Sequence, residues 1–191
     1  MNLPNKLTLL RIALSFFLIF FLLMPGAAAK IAAAIVFAVA ALTDLWDGWV
    51  ARRRGLITDF GILMDPIADK ILVLGAFVSF VQLELVPAWM VVLIATREFL
   101  ITGLRLFALG KGYALPAEAA GKHKTVSQMV AISLTLLYLI AREFVAPRPN
   151  GAPWIHLGER SIWWLVLLTV VLTMTSGISF LWKHRKLILT L

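Results

Sequence analysis

Residues 44–69 read DLWDGWVARRRGLITDFGILMDPIAD, and they connect two long apolar segments of the chain. Five of the ten acidic residues lie in this stretch. Asp44 and Asp47 are three residues apart, a spacing that places two side chains on one face of a helix. Asp65 and Asp69 are four residues apart and would share a face in the same way. Because the connection is short, we predict two antiparallel neighbouring helices with their four carboxylates close together.

The rest of the chain is strongly apolar. Of its 191 residues, 61% are hydrophobic and 15% are charged, whereas soluble domains average about 45–50% and about 25%. A membrane-spanning helix needs about 20 mostly apolar residues. The composition therefore predicts an all-α integral membrane protein with six transmembrane helices and a single domain over residues 1–191. The six apolar segments are 4–24, 30–54, 65–84, 86–109, 125–145 and 161–183.

The basic residues predict how these helices are oriented. Lysine and arginine are enriched on the cytoplasmic side of membrane proteins. With the N-terminus in the cytoplasm, 14 of the 18 basic residues lie on or toward that side. This distribution predicts that both termini are cytoplasmic, and it assigns the net charge of +8 to the membrane surface rather than to nucleic acid. The four exceptions are Lys30, Arg142, Arg148 and Arg160.

Four neighbouring carboxylates repel one another at low dielectric, so their predicted convergence requires positive charge. Hard divalent cations with oxygen ligands supply it, and Mg²⁺ favours carboxylates together with substrate phosphates. Mn²⁺ accepts the same ligands. Two such metals would form a clamp for phosphoryl chemistry. The chain contains no cysteine, which excludes thiolate ligands and a cysteine nucleophile.

Other residues of the stretch fit a phosphate site. Gly48 follows Asp47 in an expected helix interior, where glycine is unfavourable unless a helix or ligand approaches closely. Arg52 lies one turn further on and could reach a phosphate. Asp65 and Pro66 form a strong helix-start signal, N-cap followed by N1, so the third helix is expected to begin there. Gly61 would then lie in the connecting loop.

Less specific interpretations stay open at this point. The aspartates could pair with Lys70 or with the basic run at 52–54. A divalent-cation transport site would explain the four aspartates but not Gly48, Arg52 or Gly61. Glu98 is expected to pair with a neighbouring arginine. The basic residues considered below as phosphate ligands also fit the flanks of membrane spans.

The spacing D-x2-D-G-x2-A-R-x8-G-x3-D-x3-D over residues 44–69 resembles the signature of the CDP-alcohol phosphotransferase family. The resemblance implies a homodimeric membrane enzyme with a polar cavity that faces the cytoplasm and two divalent cations, Mg²⁺ or Mn²⁺. It implies that Asp69 accepts a proton. The implied metal ligands are Asp44, Asp47, Asp65 and Asp69. The implied CDP-binding residues are Asp47, Gly48, Ala51, Arg52, Thr58 and Gly61.

Three further stretches resemble bacterial family members whose acceptor is glycerol-3-phosphate. They are residues 2–11, 97–105 and 121–128. The resemblance implies transfer of the phosphatidyl group from CDP-diacylglycerol to glycerol-3-phosphate in the bacterial inner membrane. Inositol phosphate, serine and phosphatidylglycerol stay open as alternative acceptors.

A dianionic acceptor requires cations beside the metal site. Arginine binds phosphate in a bidentate manner and lysine binds it as a point charge. Four basic residues are available on the predicted cytoplasmic side, and we expect them to bind the acceptor phosphate. They are Arg97, Arg105, Lys122 and Lys124.

Overall fold

The computed structural model describes the backbone of residues 3–54, 59–113, 119–145 and 152–190. It describes the side chains of residues 5–43, 61, 64–113, 124–145 and 153–185. All regular secondary structure in these ranges is helical, which confirms the predicted all-α class. The helices are α1 (Leu3–Leu23), α2 (Ala27–Arg54), α3 (Asp59–Gln82), α4 (Ala88–Gly110), α5 (Ala119–Val145) and α6 (Ala152–Thr190).

The six helices pack into one bundle. α1 lies along both α2 and α3, α5 contacts α2 and α6, and α4 contacts α3 and α6. Apolar side chains fill the centre, and large apolar side chains also cover much of the outside, such as Phe16, Val92 and Trp182. An apolar exterior of this extent suits contact with lipid. Representative buried residues are Leu18, Phe77, Ile94, Leu136 and Val166.

Three of the described helical segments are long and apolar enough to cross a membrane. They are Asn5–Leu23 in α1, Lys124–Val145 in α5 and Pro153–Arg185 in α6, and the apolar segment Ala27–Thr43 of α2 is shorter. α3 and α4 do not belong to this group, because charged residues interrupt both of them. These charges are Asp65, Asp69 and Lys70 in α3, and Arg97, Glu98 and Arg105 in α4.

The start of α3 differs from the prediction. The helix begins at Asp59, so Asp65 is not an N-cap and Pro66 lies inside the helix. Gly61, expected in a loop, is a buried residue of the same helix. Proline lacks the N–H that would bond four residues back, but spanning helices tolerate it where neighbouring helices support the backbone. Here α1 packs along α3.

Two other helices begin at least six residues earlier than predicted. α5 begins at Ala119 rather than at residue 125, and α6 begins at Ala152 rather than at residue 161. The start of α6 has a local explanation, because Pro153 lies in the first turn, where its missing N–H costs no helical hydrogen bond. Residues 152–160 are less apolar than the rest of α6, and hydrophobicity alone therefore missed this part of the helix.

Lys30, one of the four basic residues predicted outside the cytoplasmic half, has a structural role. Its side chain is buried, and its Nζ donates hydrogen bonds to the carbonyl oxygens of Leu22 at 2.5 Å and Met24 at 2.8 Å. The last carbonyls of a helix have no donor within the helix. The Lys30 ammonium therefore caps the end of α1 and ties it to the first turn of α2.

Replacing Lys30 with methionine should destabilise the fold while preserving side-chain volume. Hydrogen bonds to a charged group contribute about 1.5–3 kcal/mol, which corresponds to a loss of roughly 3–12 °C in melting temperature for a chain of this size. Thermal unfolding in detergent measures the change. The exposed Lys6→Met serves as a control and should melt as the wild type does. Equal melting temperatures for the two variants would contradict the capping role.

Candidate active site

Asp65 lies where α1 passes α3. Its carboxylate is partly buried, and the fully buried Thr8 of α1 donates a hydrogen bond from Oγ1 to Asp65 Oδ1 at 2.5 Å. A hydroxyl bound to a carboxylate forms a short, charge-assisted hydrogen bond. Thr8 therefore fixes the orientation of the Asp65 carboxylate. Arg11, one turn after Thr8, is also fully buried.

Asp69 lies one helical turn after Asp65 on the same face of α3. Its side chain is partly buried. It interacts electrostatically with Lys70 on its own helix and with Lys124 of α5. Gly61 precedes Asp65 by one turn, so these three positions of the predicted signature follow one line along α3. Asp69 therefore shares a helix face with Asp65 and also interacts with two basic residues, Lys70 and Lys124.

Several predicted site residues lie outside the described side chains. The backbone of α2 is helical through Arg54, and α2 contacts α3. Among the described side chains there is no group of three potential metal-ligating residues. Asp65 and Asp69 alone offer oxygen donors one turn apart, the ligand type that Mg²⁺ and Mn²⁺ accept. The predicted residues outside the description are Asp44, Asp47, Gly48, Ala51, Arg52, Thr58 and Lys122.

The buried carboxylate of Glu98, on α4, lies within ion-pair distance of three basic residues. Glu98 is 5% exposed and forms an ion pair with Lys124 of α5. Its carboxylate oxygens lie 3.5 Å from Arg97 Nη1 and 3.9 Å from Lys70 Nζ. Gln128 Nε2 donates a hydrogen bond to Glu98 Oε1 at 3.2 Å. We call these five residues the Glu98 cluster. The predicted pairing of Glu98 with a neighbouring arginine is confirmed, and two lysines join it.

Arg97 connects the Glu98 cluster to α6. Its Nη2 donates a hydrogen bond to Ser176 Oγ at 2.9 Å. Its aliphatic stem lies on Gly177, where an added Cβ would come within 2.8 Å of Arg97 Cγ. Glycine at this position therefore lets the arginine pass close to the α6 backbone. The Nε of Arg97 is buried and has no hydrogen-bond acceptor among the described residues.

Arg105 lies two turns further along α4 and also faces α6. Its guanidinium carbon is 5.1 Å from the centre of the Phe180 ring, a cation–π distance. Its Nε, like that of Arg97, is buried without an acceptor in the described structure. A buried donor without a partner is costly. An anionic ligand bound between α4 and α6 could accept hydrogen bonds from these two guanidinium groups.

A sequence model of the CDP-alcohol phosphatidyltransferase family matches residues 1–175. The chain belongs to this family. The match covers α1 to α5 and most of α6, so it includes both the aspartate-bearing helices and the Glu98 cluster.

Individual members of the CDP-alcohol phosphatidyltransferase family are similar over most of the chain. A Bacillus subtilis protein named CDP-diacylglycerol–glycerol-3-phosphate 3-phosphatidyltransferase is 40% identical over 99% of this chain and 98% of its own length. A Rickettsia bellii protein of the same name is 35% identical over 97% and 96%. A Mycobacterium tuberculosis protein named probable phosphatidylglycerophosphate synthase is 43% identical over 72% and 67%.

Four residues of the described site were missed as candidates from the sequence. Thr8 and Gln128 lie in stretches that carry the family resemblance, which was a usable signal. Lys70 was considered only as a partner of the aspartates, and Ser176 had no signal, because an isolated serine in an apolar helix usually bonds its own backbone. Their positions depend on which helices pack together.

Replacing Thr8 with valine should weaken metal activation. Valine keeps the shape of the side chain but removes the donor to Asp65, and a hydrogen bond to a charged group contributes at least about 1.5 kcal/mol, or tenfold in a binding constant. We expect the Mg²⁺ concentration for half-maximal activity to rise about tenfold. Thr8→Ser, which keeps the hydroxyl, should stay near the wild type. An unchanged Mg²⁺ requirement in Thr8→Val would show that this hydrogen bond does not orient a ligand.

Proposed function

We propose that this protein transfers the phosphatidyl group of CDP-diacylglycerol to sn-glycerol-3-phosphate, forming phosphatidylglycerophosphate and releasing CMP. The observation that carries the proposal is the similarity over almost the whole chain to the Bacillus subtilis enzyme whose name states these two substrates. The cationic residues beside Asp69 support it, because a phosphate-bearing acceptor needs positive charge close to the reacting groups.

We place the enzyme in the bacterial cytoplasmic membrane as one domain with six transmembrane helices, both termini in the cytoplasm, and as a homodimer. The described contacts support a single cytoplasm-facing site. Thr8 near the start of α1 meets Asp65 in the first half of α3, and Arg105 near the end of α4 meets Phe180 in the second half of α6. These contacts lie toward the end of the bundle at which α1 begins. Lipid tails would reach the site laterally from the inner leaflet.

The carboxylates on α2 and α3 are the proposed metal ligands. When bound, a pair of divalent cations, Mg²⁺ or Mn²⁺, supplies charge neutralisation for the diphosphate and the departing CMP. The orientation of Asp65 by Thr8 supports this role, since metal ligands are commonly held by a second hydrogen bond. The proposed ligands are Asp44, Asp47, Asp65 and Asp69. The proposed contacts to CDP are Asp47, Gly48, Ala51, Arg52, Thr58 and Gly61.

The reaction is proposed as one direct displacement. The 1-hydroxyl oxygen of glycerol-3-phosphate attacks the phosphorus that carries diacylglycerol, and a new phosphorus–oxygen bond forms as the bond to the CMP oxygen breaks. Asp69 takes the proton from the attacking hydroxyl. The chain has no cysteine to form a covalent intermediate. The residues proposed to hold the acceptor phosphate are Arg97, Arg105, Lys122 and Lys124.

The purified protein, given CDP-diacylglycerol with a radiolabelled phosphatidyl group, tests this function directly. Glycerol-3-phosphate should yield labelled phosphatidylglycerophosphate, and inositol phosphate, serine and phosphatidylglycerol should yield no product. A labelled product with one of the other acceptors would reassign the substrate. Release of CMP without any acceptor would contradict direct displacement. Metal flux in liposomes that lack lipid substrate would instead support a transporter.

A further inference from the structure

The Glu98 cluster carries more positive charge than it balances internally. Lys70, Arg97 and Lys124 contribute three cations and Glu98 contributes one carboxylate. All four side chains are about nine-tenths buried or more, and buried charges require partners. If Asp69 binds metal and does not balance these cations, the Glu98 cluster has a net charge of two positive charges, three from the basic residues less one from Glu98. A phosphomonoester carries up to two negative charges near neutral pH.

The three cations depend on Glu98 to different degrees. Arg97 has a second anchor in Ser176, and the Lys70 ammonium has the Pro66 carbonyl at 3.4 Å. For Lys124, Glu98 is the one carboxylate within ion-pair distance among the described residues. Like charges this close repel each other strongly when they are removed from water. Without Glu98, the Lys124 ammonium would be displaced most.

The Glu98 carboxylate is itself held in place. Gln128, one turn after Lys124 on α5, donates its amide hydrogen to the oxygen that Lys124 also contacts. The neutral donor orients the carboxylate without adding charge. Glu98 therefore links α4 to α5 through two residues that face it from the same side.

We propose that Glu98 is a positioning residue for acceptor recognition. Its carboxylate holds the Lys124 ammonium and the Arg97 guanidinium around the acceptor phosphate and sets the local charge excess to that of a phosphomonoester dianion. This inference rests on the proposed function, because it assumes that the acceptor carries such a phosphate. Glu98 does not touch the reacting atoms in this proposal, and it acts through the two basic residues.

Steady-state kinetics of the full-length Glu98→Gln variant test the proposal. The variant keeps size and polarity but loses the charge. We expect the KM for glycerol-3-phosphate to rise about tenfold and inhibition by inorganic phosphate to weaken by a similar factor. The KM for CDP-diacylglycerol should stay within twofold of the wild type. Glu98→Asp should recover part of the loss, and Glu84→Gln, which neutralises an exposed carboxylate in the turn between α3 and α4, should change nothing.

A merely structural role for Glu98 makes a different prediction. It would lower the amount of folded enzyme or change both KM values alike, and either result with unchanged phosphate inhibition would overturn the proposal. If Glu98→Gln does not fold, Gln128→Leu keeps the charge but releases the carboxylate. That variant should raise the KM for glycerol-3-phosphate about threefold, and an unchanged value would also overturn the proposal.

The two proposals fail in distinguishable ways. Wild-type protein that makes no product from glycerol-3-phosphate would refute the proposed function. Wild-type protein that uses glycerol-3-phosphate, together with a Glu98→Gln variant of unchanged kinetics, would refute only the role of Glu98.

Discussion

Asp69→Asn should lower the turnover number by about 10²–10⁴-fold, the range that a positioned general base contributes. Asparagine has nearly the same shape and keeps an oxygen that can contact a metal, but it does not accept the proton of the attacking hydroxyl. Asp69 lies one turn after Asp65 and interacts electrostatically with Lys70 and Lys124, so it could reach an acceptor held by these basic residues. Binding of CDP-diacylglycerol in the presence of Mg²⁺ should fall much less than turnover.

The experiment needs both a rate and a binding measurement on the same preparation. Single-turnover kinetics with saturating substrates give the rate, and equilibrium binding of labelled CDP-diacylglycerol gives the affinity. Asp59→Asn is the matched control, because it makes the same substitution on the same helix outside the aspartate spacing. An Asp69→Asn enzyme with near wild-type turnover would refute the assignment of the base. Equal losses of binding and turnover would assign Asp69 to metal binding alone.

Arg105→Gln should raise the KM for glycerol-3-phosphate by about 10- to 150-fold, because a charge-assisted hydrogen bond contributes about 1.5–3 kcal/mol. Arg105 is better suited to this test than Arg97 or Lys124, since both of those residues also pair with the buried Glu98 carboxylate. Its guanidinium lies on the Phe180 ring, and its Nε has no acceptor among the described residues. The KM for CDP-diacylglycerol should change by less than threefold.

The control for this substitution is Arg160→Gln, which removes an exposed arginine from α6. Its kinetics should match those of the wild type and exclude a general effect of net charge. Similar increases in both KM values for Arg105→Gln would place Arg105 in the packing between α4 and α6 rather than in an acceptor site.

The helices were predictable to the extent that they are apolar. Long apolar segments gave the six helices of the described residues and the all-α class, although charged residues interrupt two of these segments. The start of α3 was wrong because Asp65-Pro66 is a strong local signal for a helix start, whereas packing against α1 supports a longer helix. A helix can extend past a local start signal of this kind when tertiary contacts support its backbone.

The sequence predicted which residues of one helix share a face, but it did not predict which residues of different helices contact one another. The spacing of Asp65 and Asp69 gives a shared face from helix geometry alone. The meeting of Lys70, Glu98 and Lys124 depends on α3, α4 and α5 being neighbours, and a single sequence does not contain that order. Thr8 was missed for the same reason, since nothing local to residue 8 predicts a partner at residue 65.

The buried charges of α4 have a consequence for biogenesis. Near the centre of a spanning helix, a charged residue costs about 2.5–3.5 kcal/mol on insertion, and α4 carries Arg97 and Glu98 side by side. α4 alone is therefore expected to insert poorly into a membrane. Lys124, near the start of α5, supplies a counter-charge for the Glu98 carboxylate of α4. In the proposed topology, the ion pair between Glu98 and Lys124 would couple the insertion of α4 to that of α5, so residues proposed to serve acceptor binding would also serve biogenesis.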